Sequence, residues 1–330
     1  MKLNNKLISN VLSAAVVGLA SFSSQAADAI TVYTAAPQKF VDALVPMFEK
    51  QSGLDVQVIK AGSGELLNRL TAESDSPVAD VLWSVDGTVV DFNPALFSPY
   101  KSAHADNIIP GLVKSDIWSP FTAVVMVFIV NEAKLKGLPV PSSWEDLAKP
   151  EYAQLISSAR ADRSGSAFIQ YATVLQAYYS EEKGTDIYKG MLKNFVLSNS
   201  SGAVPRFVND GESPIGITLE DAALQYKEGG GPVEIVYPSE GTALAPDAIA
   251  KVAGSPNGKG AEQFIDFILS QDAQEIVASL GRRPVRSDVE SNELLLPLPE
   301  VPTIDYDFEW AAENRTRLVE NWGDMVLDVQ

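Results

Sequence analysis

Residues 211–242 read GESPIGITLEDAALQYKEGGGPVEIVYPSEGT and carry the signals that decide the fold. The apolar run Pro214–Thr218 predicts a buried strand, and Val233–Tyr237 predicts a second one. Between them, the acidic pair Glu220 and Asp221 opens a short predicted helix that ends in three glycines. Open α/β sheets hold ligands where strands give way to helices. We therefore expect this stretch to form one wall of a cleft.

The N-terminal third of the chain shows the alternation of strand and helix that builds a parallel sheet. Strands are predicted at Ala29–Thr34, Leu54–Lys60 and Ala79–Trp83. Helices are predicted between them at Pro37–Gln51 and Leu66–Glu73. The pattern therefore predicts an α/β fold with a mostly parallel sheet flanked by helices.

The remainder continues this pattern around a strongly apolar, β-branched run that predicts a central strand at Phe121–Asn131. Further strands are predicted at Leu155–Ala159, Phe195–Leu197 and Leu244–Val252. Further helices are predicted at Ala167–Tyr179, Thr185–Lys193, Gly260–Leu269, Asp272–Ser279 and Trp310–Met325. Because 330 residues exceed one average domain, we expect two lobes.

The chain is acidic, with a formal net charge of −18. This charge disfavours binding to nucleic acid or to an anionic membrane. It does not exclude an anionic small ligand, because a few local donors decide the affinity of such a site.

The N-terminus reads MKLNNKLISNVLSAAVVGLASFSSQA, with a basic start, an apolar centre and a small-residue cleavage site. These features predict a secretory signal peptide over residues 1–26, cut after Ala26. We therefore expect export to the periplasm. The chain has no cysteine, which excludes a disulfide framework and thiolate metal sites.

Small polar turns precede four of the predicted helices. They are Thr34-Ala35-Ala36, Gly62-Ser63-Gly64, Ser164-Gly165-Ser166 and Ser200-Ser201-Gly202. Free N–H groups at a helix start, beside a small hydroxyl, bind oxyanions. Each turn taken alone is better explained as an ordinary helix N-cap. Four of them together favour one shared anion site, with contacts from Thr34, Ala36, Ser63, Gly64, Ser164, Ser166, Ser201 and Gly202.

Carboxylates near strand ends are the candidate partners for ligand hydroxyls. Glu220, Asp221 and Glu240 follow the two strands of the opening stretch, while Trp83 and Asp86 end a strand on the other side. The acidic pair has a second explanation, because acids at a helix start complement the helix dipole. Both explanations stay open on the sequence alone.

The motifs of an enzyme are missing. His104 is the single histidine, and the sequence contains neither a Gly-x-Ser-x-Gly motif nor a phosphate-binding loop. A transition-metal site would have to use tyrosines and carboxylates. Tyr178 and Tyr179 are adjacent, but helix packing explains them. We expect a binding protein without catalytic residues, metal or cofactor.

Several motifs in order resemble one known family, the periplasmic substrate-binding proteins of ABC importers, in their type II, ferric-ion-binding-like branch. The motifs are AITVYTAAPQKFVDALVPMFEKQSG, a Gly-Ser-Gly-Glu turn, ADVLW, PSSWEDLAKPEY, RSGSAF, PIGITLEDAA, GGPVEIVYPSEGTALAPDAIA and GRRPVR. The resemblance covers nearly the whole chain after the signal peptide.

The resemblance implies two lobes joined by two crossing hinge segments, near Val127–Asn131 and Val236–Ala243. Lobe one would comprise residues 27–128 and 242–330, and lobe two residues 129–241. The ligand would lie between the lobes, and closure of the hinge would trap it. The expected partners are a small anionic solute and an inner-membrane permease with its ATPase. We expect a monomer.

Ferric members of this family typically bind iron through paired tyrosines just after the strand that corresponds to Pro214–Thr218. Here that place reads Thr218-Leu219-Glu220-Asp221. The sequence looks more like the hexose-phosphate-binding subgroup, in which serines and backbone amides hold the phosphate and carboxylates hold sugar hydroxyls. The expected ligand is thus a hexose phosphate or a similar small organophosphate. Ferric iron, a thiamine derivative and a phosphonate are the alternatives, and an exported carboxylate hydrolase is the alternative from another class.

Overall fold

A computed structural model describes residues 29–329 of the chain. The predicted signal peptide, residues 1–26, lies outside the described residues. Within the described range no helix is long and apolar enough to cross a membrane.

The described residues form eleven strands and twelve α-helices. The strands are β1 (Ala29–Thr34), β2 (Asp55–Lys60), β3 (Val81–Asp86), β4 (Phe97–Ser98), β5 (Ser119–Val130), β6 (Ile156–Ala159), β7 (Phe195–Ser198), β8 (Ile215–Leu219), β9 (Glu234–Val236), β10 (Leu244–Val252) and β11 (Arg283–Pro284). The helices are α1 (Gln38–Ser52), α2 (Ser63–Ala72), α3 (Gly87–Phe92), α4 (Trp144–Leu147), α5 (Gly165–Gln176), α6 (Glu181–Asn194), α7 (Val204–Asn209), α8 (Glu220–Glu228), α9 (Gly258–Ile268), α10 (Gln271–Ser279), α11 (Phe308–Glu313) and α12 (Arg315–Val329). Single-turn 3-10 helices lie at Pro94–Leu96, Ala105–Asn107, Pro110–Leu112, Glu132–Lys134, Pro150–Tyr152, Ser201–Ala203 and Leu298–Glu300.

The strands form one continuous mixed sheet in the order β2-β1-β3-β10-β5-β8-β6-β7. At one end β2, β1 and β3 run parallel, and at the other end β8, β6 and β7 run parallel. The long central strands β5 and β10 pair antiparallel with each other and with their neighbours. β5 pairs with β10 over its first half and with β8 and β9 over its second, so this strand crosses between the two parallel ends.

Each end of the sheet has its own apolar cores, which define two lobes. In the first lobe, α1 presents Phe40, Leu44 and Phe48 at four-residue spacing to strands β1 and β3. The helix ends at Gly53, whose positive φ of 74° gives the left-handed turn that glycine adopts without strain. In the second lobe, α5 is almost wholly buried beneath α6 and the chain end.

Two sequence predictions about the fold need correction. Trp83 is fully buried, with its ring 5.4 Å from that of Phe121 and 5.7 Å from that of Phe264, so it packs in the first core and does not line a cleft. The tail, predicted as one helix, is two, because α11 ends at Glu313 and α12 begins at Arg315.

The predicted division of the chain into lobes stays a prediction, but the packing of the tail differs from it. Residues Leu318, Trp322 and Met325 of α12 belong to the core of the second lobe. The indole N–H of Trp322 donates to the hydroxyl of Tyr188, which lies in α6, over 3.3 Å. The last helix therefore packs on the second lobe, although the chain before it returns to the first.

Candidate ligand-binding site

A cavity of about 530 Å³ lies between the two lobes and is large enough for a small molecule. The first lobe contributes residues from the starts of α1, α2 and α3 and from β10, and the second contributes the starts of α5 and α8 and the loop before α7. The lining residues are Ala35, Ala36, Pro37, Lys60, Ala61, Gly62, Ser63, Ser84, Asp86, Arg163, Ser164, Gly165, Ser166, Asn199, Ser200, Ser201, Gly202, Thr218, Leu219, Ala222, Asp247 and Arg282.

Four longer helices, α1, α2, α5 and α8, direct their N-termini to this cavity. The first N–H groups of a helix have no intrahelical acceptor, and the helix dipole adds partial positive charge at this end. Two of the helices come from each lobe. The cavity is therefore lined by the positive ends of helices on both sides.

Six of the eight residues predicted to form the anion site line this cavity, namely Ala36, Ser63, Ser164, Ser166, Ser201 and Gly202. Ser164 is the N-cap of α5, because its Oγ accepts a 3.3 Å hydrogen bond from the N–H of Ala167. The same Oγ lies 3.0 Å from the Oγ of Ser166. Ser164 thus caps α5 and also lines the cavity. The two explanations of this turn, a helix N-cap and a ligand contact, therefore do not exclude each other.

Thr34 and Gly64 lie behind the cavity. The Oγ1 of Thr34 donates to the carbonyl of Trp83 and accepts from the N–H of Ala36, at 2.9 and 3.0 Å. Thr34 is fully buried and shapes the turn that brings Ala36 to the lining. Gly64 instead faces the backbone of the opposite lobe.

The acidic pair, Glu220 and Asp221, does not line the cavity. Each of the two carboxylates instead forms an ion pair with a buried arginine. The Glu220 carboxylate accepts from Arg283 Nε and Nη2 at 2.8 and 2.9 Å and also from the hydroxyl of Tyr237. The Asp221 carboxylate accepts from Arg282 Nη2 at 3.0 Å. All four charged side chains are at most 4% exposed. An isolated buried charge is costly, so these acids are bound to the arginines and are not available to a ligand.

Glu240 also lies apart from the cavity. Its carboxylate accepts from the backbone N–H groups of Trp144 and Glu145, at 3.0 and 3.2 Å. It accepts a third hydrogen bond, of 2.7 Å, from the hydroxyl of Tyr178. Glu240 therefore stabilises the start of α4. Tyr178 holds this carboxylate through its hydroxyl group.

Asp86 lines the cavity, but its carboxylate is largely occupied. It accepts from the N–H and Oγ1 of Thr88, at 3.1 and 2.6 Å, and so caps α3. It also accepts from Arg315 Nη1 at 2.7 Å, and the guanidinium of Arg315 stacks 4.0 Å from the ring centre of Phe168 in the second lobe. The tail thus ties both lobes together behind the site.

The sequence reasoning missed the cations of the site. Lys60, Arg163 and Arg282 line the cavity, and the side chains of Lys60 and Arg163 reach solvent. The sequence signal that could have indicated a cation in the site is the doublet Arg282-Arg283, which is unusual in so acidic a chain. Its burial could not be read from the sequence, because the partners lie about sixty residues away in the chain.

Ser84 and Asp247 are two further lining residues that the sequence did not indicate. Ser84 has a φ of 56°, a left-handed conformation unusual for a residue other than glycine. Its Oγ donates to Asp247 Oδ2 at 3.1 Å, and Arg282 Nη1 donates to the same oxygen at 3.2 Å. Burial raises the pKa of Asp247 to about 6, although Arg282 opposes this shift.

The two lobes touch along a seam of glycines beside the cavity. A Cβ added at Gly165 would lie 2.8 Å from the Cβ of Asp86 and 3.0 Å from the Oγ of Ser63. A Cβ added at Gly62 would lie 2.9 Å from the carbonyl oxygen of Arg163. Both contacts join opposite lobes and leave no room for a side chain. The described structure is therefore closed at this seam.

The family profile of the bacterial extracellular solute-binding proteins matches residues 76–309. The chain belongs to this family. The predicted resemblance to periplasmic solute-binding proteins of ABC importers is thereby confirmed, and so is the two-lobed type II fold.

Relatives of this solute-binding protein carry different ligand names. The periplasmic binding protein AfuA from Actinobacillus pleuropneumoniae, solved with exogenous fructose-6-phosphate bound, superimposes with a TM-score of 0.85 at 27% identity, covering 90% of this chain and 98% of AfuA. A putative 2-aminoethylphosphonate-binding periplasmic protein of Salmonella typhi is 28% identical over 87% of both chains. An Fe(3+)-binding periplasmic protein of Serratia marcescens is 28% identical over 92% of this chain and 94% of its own length.

The buried ion pairs of this solute-binding protein generate a stability prediction. Glu220→Ala leaves Arg283 buried without its carboxylate, so we expect a loss of about 3–5 kcal/mol in the free energy of unfolding, measured by urea titration. The matched control is Glu234→Ala, which removes an exposed partner of Lys227. The control is expected to cost less than about 1 kcal/mol. Equal losses for the two variants would contradict a structural role for Glu220.

Proposed function

We propose that this protein captures a phosphorylated sugar, or a similar small organophosphate, in the interlobe cavity and delivers it to a membrane permease. One observation carries the proposal: four helix N-termini, a set of serine hydroxyls and three cationic side chains meet in a single cavity. This concentration of donors occurs in a chain whose net charge is −18. The ligand that such a lining attracts is an oxyanion.

The phosphoryl group is expected on the second-lobe side of the cavity. The N–H groups of Gly165 and Ser166 open α5, and Ser201 and Gly202 lie beside them in the lining. Arg163 is exposed at the rim and has no side-chain partner among the described residues, so its guanidinium is free to pair with phosphate oxygens. Backbone donors and one arginine together form a strong binding site for a dianion.

The relatives support this choice of ligand class without deciding the individual ligand. AfuA, with its bound fructose-6-phosphate, supports a sugar phosphate. The relative named for 2-aminoethylphosphonate has a ligand with a phosphonate group, whose oxygens present similar acceptors. Both ligands share an anionic end and a hydrogen-bond donor, and the same helix N-termini suit either.

Ferric iron is the less suitable ligand, although one relative is named for it. The lining contains two carboxylates, Asp86 and Asp247, and Asp86 is already held by Arg315 and Thr88. The lining has no tyrosine, and no group of three His, Cys, Asp or Glu side chains within residues 29–329 is placed to share a metal ion. Lys60 and Arg163, the lining cations that form no ion pair among the described residues, would repel Fe³⁺.

The remaining parts of the proposal follow from the family. We place the protein in the periplasm, as a monomer that binds its solute without chemical conversion and docks on an inner-membrane permease. The three relatives named above are all called periplasmic binding proteins.

Isothermal titration calorimetry tests the ligand class. Glucose 6-phosphate and fructose 6-phosphate are expected to bind tightly, whereas free glucose and ferric citrate are expected to give no heat. 2-Aminoethylphosphonate and inorganic phosphate are included as the competing anions. Absence of heat from every phosphate and phosphonate would overturn the proposal, as would iron retention with a visible absorption band.

The rim arginine gives the second prediction. Arg163→Ala should weaken binding of a hexose phosphate by about tenfold or more, because one charge-assisted hydrogen bond is lost. The melting temperature should not change, since Arg163 is exposed. The control is Arg206→Ala, which removes an exposed arginine of α7 that pairs with Asp210 and Glu212. Equal effects of the two variants on affinity would show that only overall charge matters.

The glycine seam gives the third prediction. Gly165→Ala should hold the lobes apart, because the added methyl group would lie within 3 Å of the opposite lobe. We expect a larger radius of gyration in X-ray scattering with saturating hexose phosphate, together with weaker binding. The control is Gly111→Ala, where an added Cβ meets nothing within 4 Å. Unchanged scattering and affinity for Gly165→Ala would show that the seam is not needed for closure.

A further inference from the structure

Asp247 is a carboxylate placed inside a cavity whose other features attract anions. It lies on β10, is 8% exposed and lines the cavity beside Ser84 and Arg282. Its hydrogen bonds with the described residues, from Ser84 Oγ at 3.1 Å and from Arg282 Nη1 at 3.2 Å, both end on Oδ2. The second oxygen, Oδ1, takes part in neither hydrogen bond and keeps its capacity to accept one.

This arrangement is costly for the folded protein. Burial raises the pKa of Asp247 to about 6, and the nearby carboxylates of Asp86 and Asp221 add to the shift. Arg282 opposes it, but this guanidinium is shared with Asp221. Ser84 holds a left-handed backbone conformation while it donates to Asp247. Strained residues and destabilised charges together are typical of functional sites.

A purely structural role does not account for Asp247. Arg282 already has a buried partner in Asp221, at 3.0 Å, and Lys39 Nζ lies 3.4 Å from the other oxygen of Asp221. An asparagine at position 247 would still offer an oxygen to Ser84 and Arg282. What the carboxylate adds is a negative charge at the wall of the cavity.

We propose that Asp247 accepts a hydrogen bond from the ligand and selects, among anions, those that carry a hydroxyl or amino group next to the phosphoryl group. Ser84 and Arg282 are positioning residues that fix the carboxylate. This inference rests on the proposed function, because it concerns the same cavity. It identifies the specificity-determining residue and the ligand class that it accepts.

The physical basis is a difference between two kinds of anion. A fully ionised anion such as sulfate, which carries no donor, meets a like charge near Asp247 and offers nothing to compensate for it. A ligand with a donor on the same side gains a charge-assisted hydrogen bond, which is stronger than a neutral one. Specificity therefore comes from a repulsive element against one class combined with an attractive one for the other.

The test is calorimetry on the full-length mature protein and Asp247→Asn at pH 7.5, with glucose 6-phosphate and with sulfate, an anion without a donor. We expect the variant to bind glucose 6-phosphate about tenfold or more weakly, which is one lost charged hydrogen bond. Its affinity for sulfate should stay equal or rise. The control is Asp162→Asn, which removes an exposed carboxylate near the cavity that pairs with Arg160.

Thermal unfolding of the ligand-free protein separates this role from a structural one. With a pKa near 6 in the fold and near 4 when unfolded, ionised Asp247 destabilises the fold in full above pH 6, and this cost declines as the pH falls from 6 to 4. The melting temperature of Asp247→Asn should therefore be no lower than that of wild type at pH 7.5. Toward pH 5, the melting temperature of wild type should rise relative to that of the variant. A lower melting temperature at pH 7.5 would assign Asp247 a structural role instead.

A second variant covers the case in which Asp247→Asn folds poorly. Ser84→Ala removes one positioning hydrogen bond and keeps the carboxylate, so we expect a loss of about threefold for glucose 6-phosphate and none for sulfate. Equal affinity of wild type and both variants for glucose 6-phosphate would overturn the inference and leave the proposed function standing. If wild type binds neither ligand nor 2-aminoethylphosphonate, the proposed function fails and this inference with it.

Discussion

The structure depends on a double ion pair that neutralises four buried charges between the lobes. Arg282 and Arg283, after α10 of the first lobe, bind Asp221 and Glu220 at the start of α8 in the second. Each acid also lies at a helix N-terminus, so the helix dipole and the arginine stabilise the same charge. Because none of these charges can be left without its partner, the ion pairs fix where the second lobe begins relative to the first.

This constraint explains why the sequence predicted the fold better than the site. Strand and helix positions depend on local apolar periodicity, which is why β1 and β10 were predicted with their observed bounds. The helix Gly87–Phe92 was missed, because its valines and threonine are more typical of a strand. The polar turns were recognisable since helix starts are read locally. For a carboxylate, however, the decisive fact is its partner, and Glu220 finds Arg283 sixty-three residues later.

Distant partners are also the reason why three carboxylates predicted to bind the ligand, Glu220, Asp221 and Glu240, bind protein groups instead. An acid at a strand end can face either a ligand or a cation of the protein. The sequence does not show which of the two lies within hydrogen-bonding distance of the acid. Glu220, Asp221 and Glu240 satisfy protein donors, whereas Asp247 sits within a run that reads as an ordinary apolar strand. The left-handed Ser84 could not be anticipated either, because strain of this kind arises from tertiary packing.

Under the proposed function, the arrangement of the cavity couples ligand chemistry to lobe closure. Ser164 and Ser166, the proposed donors to the anion, belong to the second lobe, and the proposed acceptor Asp247 belongs to the central strand β10 beside the first lobe. A ligand can shift an equilibrium between open and closed forms only through contacts that differ between them. A molecule with an anionic end and a donor end makes contacts on both sides, and these are complete only when the glycine seam is in contact. A bare anion satisfies one side alone, so it gains less from closure.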